Sequence, residues 1–112
     1  MAMFFQHFQE HTKKTAIYPD ACKGTVPAIS YCALGLAGEA GEIANKVKKL
    51  IRDGDTAELR DKIRAEVGDA LWYLARLADE LGVQLGDLAY QNVIKLQDRK
   101  ERGVLNGSGD NR

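Results

Sequence analysis

Residues 35–69 read GLAGEAGEIANKVKKLIRDGDTAELRDKIRAEVGD, and the reading of this stretch decides the fold. Leu36, Ala40, Ile43, Val47 and Leu50 recur at a 4-3-4-3 spacing, which draws one apolar stripe along a helix. The spacing resumes at Ile63 and runs through Val67, Ala70, Leu74, Leu77 and Leu81, predicting a second helix over about residues 56–81. Between the two, Gly54 suits a left-handed helix end, Asp55 suits an N-cap, and Glu58 completes a capping box. So short a connection makes the two helices antiparallel neighbours.

The same stretch carries two acidic pairs, Glu39 with Glu42 and Glu66 with Asp69, each three residues apart. That spacing places both members of a pair on one side of a helix, roughly 60° apart, where they flank the apolar stripes. Four acids converge when the helices pack. Such a concentration of negative charge beside a core is unfavourable without a cation, and oxygen-only ligands suit a hard one such as Mg2+. Lys46 lies on the same flank of the first stripe, and Tyr73 follows Asp69 by one turn. Gly35, Gly38 and Gly41 each weaken a helix interior, so three in seven residues call for close approach by another backbone or a ligand.

Outward from this core, residues 3–17 have loose amphipathic spacing and predict a first helix, which ends before Tyr18-Pro19-Asp20. His7, Glu10 and His11 formally match the H-x-x-E-H zinc pattern. No further histidine supplies a third ligand, so the segment reads as a partly exposed helix face. Residues 19–26 form a loop, and Pro27 opens the helix that runs to about Arg52. A fourth helix follows Gly82 and continues to about Glu101, with Leu85, Leu88, Ala89 and Leu96 expected inside. Asn92, Lys95 and Arg99 share an adjoining face, and Arg102 lies a turn beyond. These donors suit a polyphosphate whose charge a metal partly covers. Residues 1–103 thus form one domain, and the polar, Gly-rich residues 104–112 form a tail. Trp72 points away from the core stripe, which suggests a second buried surface such as a homo-oligomer interface.

With 112 residues, 45% hydrophobic and 29% charged, the chain has material for one modest core. Its 16 basic and 16 acidic residues cancel, leaving no global field to attract a nucleic-acid polymer or an anionic membrane. No apolar segment reaches the roughly 20 residues of a membrane span, and the first residues lack a signal-peptide pattern. Cys22 and Cys32 have no C-x-x-C spacing and read as free, buried thiols, so a cytoplasmic protein is expected.

Three blocks together carry a family likeness: Gly35-Leu-Ala-Gly-Glu39-Ala-Gly-Glu42, Glu66-Val-Gly-Asp69-Ala-Leu-Trp-Tyr73, and Asn92-Val-Ile-Lys95-Leu-Gln-Asp-Arg99-Lys-Glu-Arg102-Gly. The chain resembles the MazG-like all-α nucleoside triphosphate pyrophosphohydrolases of bacteria and phages, whose signature is E-x-x-E followed by E-x-x-D; the gap here is 23 residues. The resemblance implies an all-α, four-helix-bundle-like protomer with antiparallel central helices, assembling as a homodimer or homotetramer. It implies Mg2+-dependent conversion of a nucleoside triphosphate, with deoxynucleotides such as dGTP or dCTP among the candidates, to the monophosphate and pyrophosphate. Mn2+ would be a substitute cation. On this likeness Glu39, Glu42, Glu66 and Asp69 hold the metal, Glu39 or Glu42 orients or deprotonates water, and Lys95 and Arg99 contact phosphate. Asn92, Arg102, Lys46 and Tyr73 are auxiliary substrate contacts. The role would be nucleotide-pool control or housecleaning. Two other readings stay open: a related metal-dependent hydrolase of another phosphoanhydride, and a non-catalytic helical oligomerisation module. A di-iron carboxylate site fits poorly, since the helix pairs lack Glu-x-x-His spacing.

Overall fold

A computed structural model of the chain describes residues 3–107 and residue 109. Four helices follow one another: α1 (Phe5–Lys13), α2 (Val26–Asp53), α3 (Ala57–Glu80) and α4 (Leu85–Glu101), with no strand among the described residues. The all-α class is as expected. Thr25 caps α2, its hydroxyl accepting from the Ala28 N–H at 3.4 Å, and Pro27 occupies the first turn, where a missing N–H costs nothing. Thr56, and not Asp55, caps α3 by accepting from the Leu59 N–H at 3.2 Å. Asp55 instead pairs with Arg60 at 2.7 Å. The first helix is shorter than its periodicity suggested, because the chain turns after Lys13 and carries Tyr18 into the core.

The dominant contact is the α2–α3 hairpin, made antiparallel by its three-residue connection, 54–56. Helix α1 packs on α3 and α4, and α4 packs on α1 and α3; neither packs on α2. The chain is therefore a long hairpin bearing two helices at one end, not a closed bundle around one axis. The buried apolar cluster sits at that end, where Tyr18, Ala28 and Cys32 meet with Ala16, Ala21, Trp72 and Leu77 around them. Gln9 ties the end together: its side-chain amide donates to Val83 O at 2.9 Å, and its carbonyl accepts from the Leu85 N–H at 2.7 Å. One side chain thus satisfies a donor that the start of α4 would leave orphaned.

The apolar stripes are split between two environments. On α2, Leu36, Ile43 and Leu50 are half-buried while Ala40 and Val47 are exposed; on α3, Ile63, Ala70 and Leu77 are half-buried while Val67, Leu74 and Leu81 are exposed. Every second apolar position is therefore more open to solvent than the ones between. In α4, Leu88 and Leu96 are also exposed, contrary to their expected inward placement. Trp72, expected on an outer surface, is half-buried against the cluster and donates its indole N–H to Thr15 Oγ1 at 2.8 Å. The segment between α1 and α2 supplies the partners that a helical wheel cannot show. Both cysteines are free, and only Cys32 is buried. No helix is long and apolar enough to cross a membrane among the described residues.

Candidate metal centre

The seam of the hairpin is not wholly apolar. Glu39 and Lys46 of α2 and Glu66 and Tyr73 of α3 are half-buried among the seam's apolar residues, so two of the acids lie in the packed interface instead of on its flank. Glu42 and Asp69 stay exposed at its border. Glu39, Glu66 and Asp69 each bring a carboxylate oxygen within 4.8 Å of the other two. Lys46 reaches across the seam with Nζ 3.1 Å from Glu66 Oε1 and 3.4 Å from Glu42 Oε2. Glu42 is thus linked to the group through the lysine and does not itself join the three.

One lysine does not balance this charge. Glu39 Oε2 is shut from solvent with no hydrogen-bond donor from the described residues. A buried acceptor without a partner costs on the order of 1–3 kcal/mol, and more when charged. The Glu39 carboxyl is raised to about 7, first by sharing a proton with Glu66, then by burial and by repulsion from Glu66, Asp69 and Glu42. Glu66 shifts the other way, lowered by the same shared proton and by Lys46. An orphaned oxygen among three converging carboxylates fits a hard divalent cation, which satisfies the acceptor and neutralises the repulsion together.

Beside the acids opens a cleft of about 310 Å3, lined by Thr15, Glu39, Asp69, Trp72 and Tyr73. The Tyr73 ring lies over Gly35, where a Cβ would come within 2.1 Å of its Cε1 atom. This explains one of the three glycines. Gly38 and Gly41 face open space within the chain.

The donors of α4 stand apart from this cleft. Asn92 and Lys95 are exposed, Arg99 is buried at 4% exposure, and Arg102 pairs with Asp98 at 2.9 Å. None of them lines the cleft, and their helix does not pack on α2. His7 and His11 are exposed, and Glu10 pairs with Lys13 at 3.3 Å.

A second polar group is buried at positions that carry no recognisable motif. Arg76 is fully buried; its Nε donates to the Tyr18 hydroxyl at 3.1 Å, and its guanidinium lies 2.9 Å from Asp79 and 3.4 Å from Glu80. Glu80 also accepts from the Tyr18 hydroxyl and from the N–H groups of Cys22 at 2.8 Å and Gly24 at 2.9 Å. Burial opposes its ionisation, but these donors outweigh it and hold the carboxyl below its usual range. The pair fixes the segment between α1 and α2, and with it Thr15 at the mouth of the cleft.

Comparison with known proteins agrees with this architecture. The family profile of the MazG nucleotide pyrophosphohydrolase domain matches residues 29–104. The Gene 37 protein of Mycobacterium phage L5 is 53% identical over 110 residues, covering 94% of this chain and 96% of that protein. No solved structure matches the chain significantly. The matched segment spans α2, α3 and α4, including all the converging carboxylates. The chain belongs to the MazG nucleotide pyrophosphohydrolase family.

Proposed function

We propose that the protein is a Mg2+-dependent nucleoside triphosphate pyrophosphohydrolase, converting a ribo- or deoxynucleoside triphosphate to its monophosphate and pyrophosphate. The observation that carries this reading is the orphaned Glu39 oxygen among three carboxylates within 4.8 Å of one another, at the wall of an open cleft. Glu39, Glu66 and Asp69 would hold the cation, with Glu42 as a further ligand at the exposed border. When bound, the cation supplies charge neutralisation and Lewis-acid polarisation at the phosphates.

The chain's own groups do the rest. The products require water to add across the α–β anhydride, with pyrophosphate leaving and one water proton passing to a carboxylate. Glu39 or Glu42 takes that proton and orients the water. Lys46 holds Glu66 and Glu42 in place and lowers the net charge that an incoming polyphosphate meets. Tyr73, fixed over Gly35, forms the cleft wall next to the acids.

Asn92, Lys95, Arg99 and Arg102 are proposed as phosphate contacts. Because α4 does not pack on α2 in one chain, this role is consistent with a site completed by a second copy. We read the protein as a homodimer or a dimer of dimers; the exposed apolar positions of α2 and α3 support that reading. The relative's phage origin is compatible with a role in shaping a nucleotide pool during phage growth.

The test is incubation with each ribo- and deoxynucleoside triphosphate and Mg2+, with products resolved by chromatography. Monophosphate with intact pyrophosphate is expected. Stepwise release of inorganic phosphate would point to a different phosphoanhydride hydrolase, and no turnover of any nucleotide would defeat the proposal.

A further inference from the structure

The cleft beside the acids has a lining of two chemical kinds. The carboxylates of Glu39 and Asp69 make one part of its lining charged, and the half-buried indole of Trp72 makes another part aromatic. Three contacts hold that indole. Its N–H donates to Thr15 Oγ1 at 2.8 Å, while the Thr15 hydroxyl donates to Thr12 O at 3.2 Å, leaving a lone pair for the indole. Tyr18 and Tyr73 pack perpendicular to it, at ring separations of 6.3 Å and 5.0 Å and interplanar angles of 86° and 88°. The ring is therefore set before any ligand arrives, and stacking on it costs little ordering entropy. An indole whose polar atom is already satisfied offers a flat apolar face and no free hydrogen bond.

We propose that Trp72 is the wall on which the substrate's base stacks, so that the site takes polyphosphates bearing a planar heteroaromatic base over base-free polyphosphates and phosphoribosyl compounds. This rests on the nucleotide reading of the acid cluster and extends it to specificity. Because the Trp72 N–H and the Thr15 hydroxyl are both engaged, this wall recognises the face of a base and not its hydrogen-bonding edge. It distinguishes the presence of a base more than its identity.

Trp72 is the only tryptophan in the sequence, so intrinsic emission reports on this ring alone. The experiment titrates the wild-type protein, with Mg2+, against an α,β-methylene deoxynucleoside triphosphate and against inorganic tripolyphosphate. Saturable quenching by the nucleotide and none by tripolyphosphate is expected. Trp72→Leu should raise KM for the hydrolysed nucleotide roughly 10- to 100-fold, more than it lowers kcat, with tripolyphosphate affinity by calorimetry unchanged. Thr15→Val, which frees the indole N–H without removing the ring, should give a smaller rise in KM. Nucleotide binding that leaves the emission unchanged, or an unaltered KM in Trp72→Leu, overturns the stacking role while the pyrophosphohydrolase reading stands. Wild-type protein that neither binds nor hydrolyses any nucleotide overturns both.

Discussion

Glu39 is the side chain on which the proposed chemistry turns, and its setting explains why a cation is needed and not merely tolerated. Its buried oxygen has no donor among the described residues, and Glu66 and Asp69 bring carboxylate oxygens within 4.8 Å of its own carboxylate. Replacing it by Gln removes one charge from that group, so the apo protein should melt no lower than the wild type. The stabilisation by Mg2+ should disappear with it. A cation at 100 times its Kd would otherwise add ~2.7 kcal/mol to stability. Thermal melts of Glu39→Gln and Asp69→Asn with and without Mg2+ check this, alongside a fall in turnover of about 100-fold or more. A Mg2+ shift retained in both variants would place the cation elsewhere. Gly35 makes a second residue-scale case. In a helix, Gly→Ala ordinarily gains up to ~1 kcal/mol, but here the added methyl meets the Tyr73 ring, and overpacking costs ~1–3 kcal/mol. Gly35→Ala should therefore lower both Tm and turnover, whereas Gly38→Ala, whose Cβ meets open space, should hold or raise Tm. The approach of Glu39, Glu66 and Asp69 follows from three-residue spacing on two facing helices, while Glu42, expected with them, stays at the border and is tied to them through Lys46. The Tyr73–Gly35 contact was not legible in the sequence, since no wheel shows which ring crosses to which glycine on the facing helix.

At the scale of elements, the buried Arg76–Glu80 pair does for the 14–25 segment what a disulfide does in a secreted domain. It fastens a stretch containing two non-glycine residues with positive φ, Asp20 at 58° and Cys22 at 67°. An Arg and a Glu four apart on a helix ordinarily mark a solvated surface pair, so the sequence offered no reason to bury them. What buries them is Tyr18, whose hydroxyl bridges both and whose pKa is raised by burial and by its bond to Glu80. Glu80→Gln takes from Arg76 its fully buried acidic partner and leaves it only Asp79, and should cost up to about 3–5 kcal/mol, measured by denaturant unfolding. The pH dependence follows from Glu80's lowered pKa. The unfolded carboxyl, near 4.3, binds its proton at a higher pH than the folded one. Glu80's contribution is therefore complete above about pH 4.3 and is lost as pH falls through the depressed folded value. Trp72, packed perpendicular to Tyr18, supplies the readout. Its emission should change below about pH 4.3 in the wild type and lose that change in Glu80→Gln; a change near neutrality belongs to Glu39 of the same cleft, raised to about 7, and an acid transition kept in Glu80→Gln would contradict the assignment.

The whole molecule is too open for a chain of its length. Its radius of gyration is 16.7 Å, where a compact domain of this size measures ~13 Å. The alternation along α2 and α3 gives the physical reason. A single 4-3 stripe is read in sequence as one core face, but here Leu36, Ile43 and Leu50 of α2 and Ile63, Ala70 and Leu77 of α3 are half-buried, while Ala40 and Val47, with Val67, Leu74 and Leu81, are exposed. A helix with apolar residues on two adjoining faces needs two neighbours; the chain gives α2 only α3, and α1 and α4 pack on α3 but not on α2. This is also why the number of helices was legible and their closure into a bundle was not. Trp72, which the wheel offered as the sign of a partner, is half-buried against the chain's own cluster and lines the cleft, so the exposed stripe is the surface on which the proposed partner is to be tested. A second copy of the hairpin would cover Val67 and Leu74 and turn two open hairpins into one four-helix core. Sedimentation of the wild type at micromolar concentration should then give at least twice the 12.4 kDa of one chain. The double substitution Val67→Glu with Leu74→Glu, which places two charges on that face, should sediment as a monomer with a lower Tm. Wild-type protein that remains at 12.4 kDa across that range would mean that the outward stripe has another use.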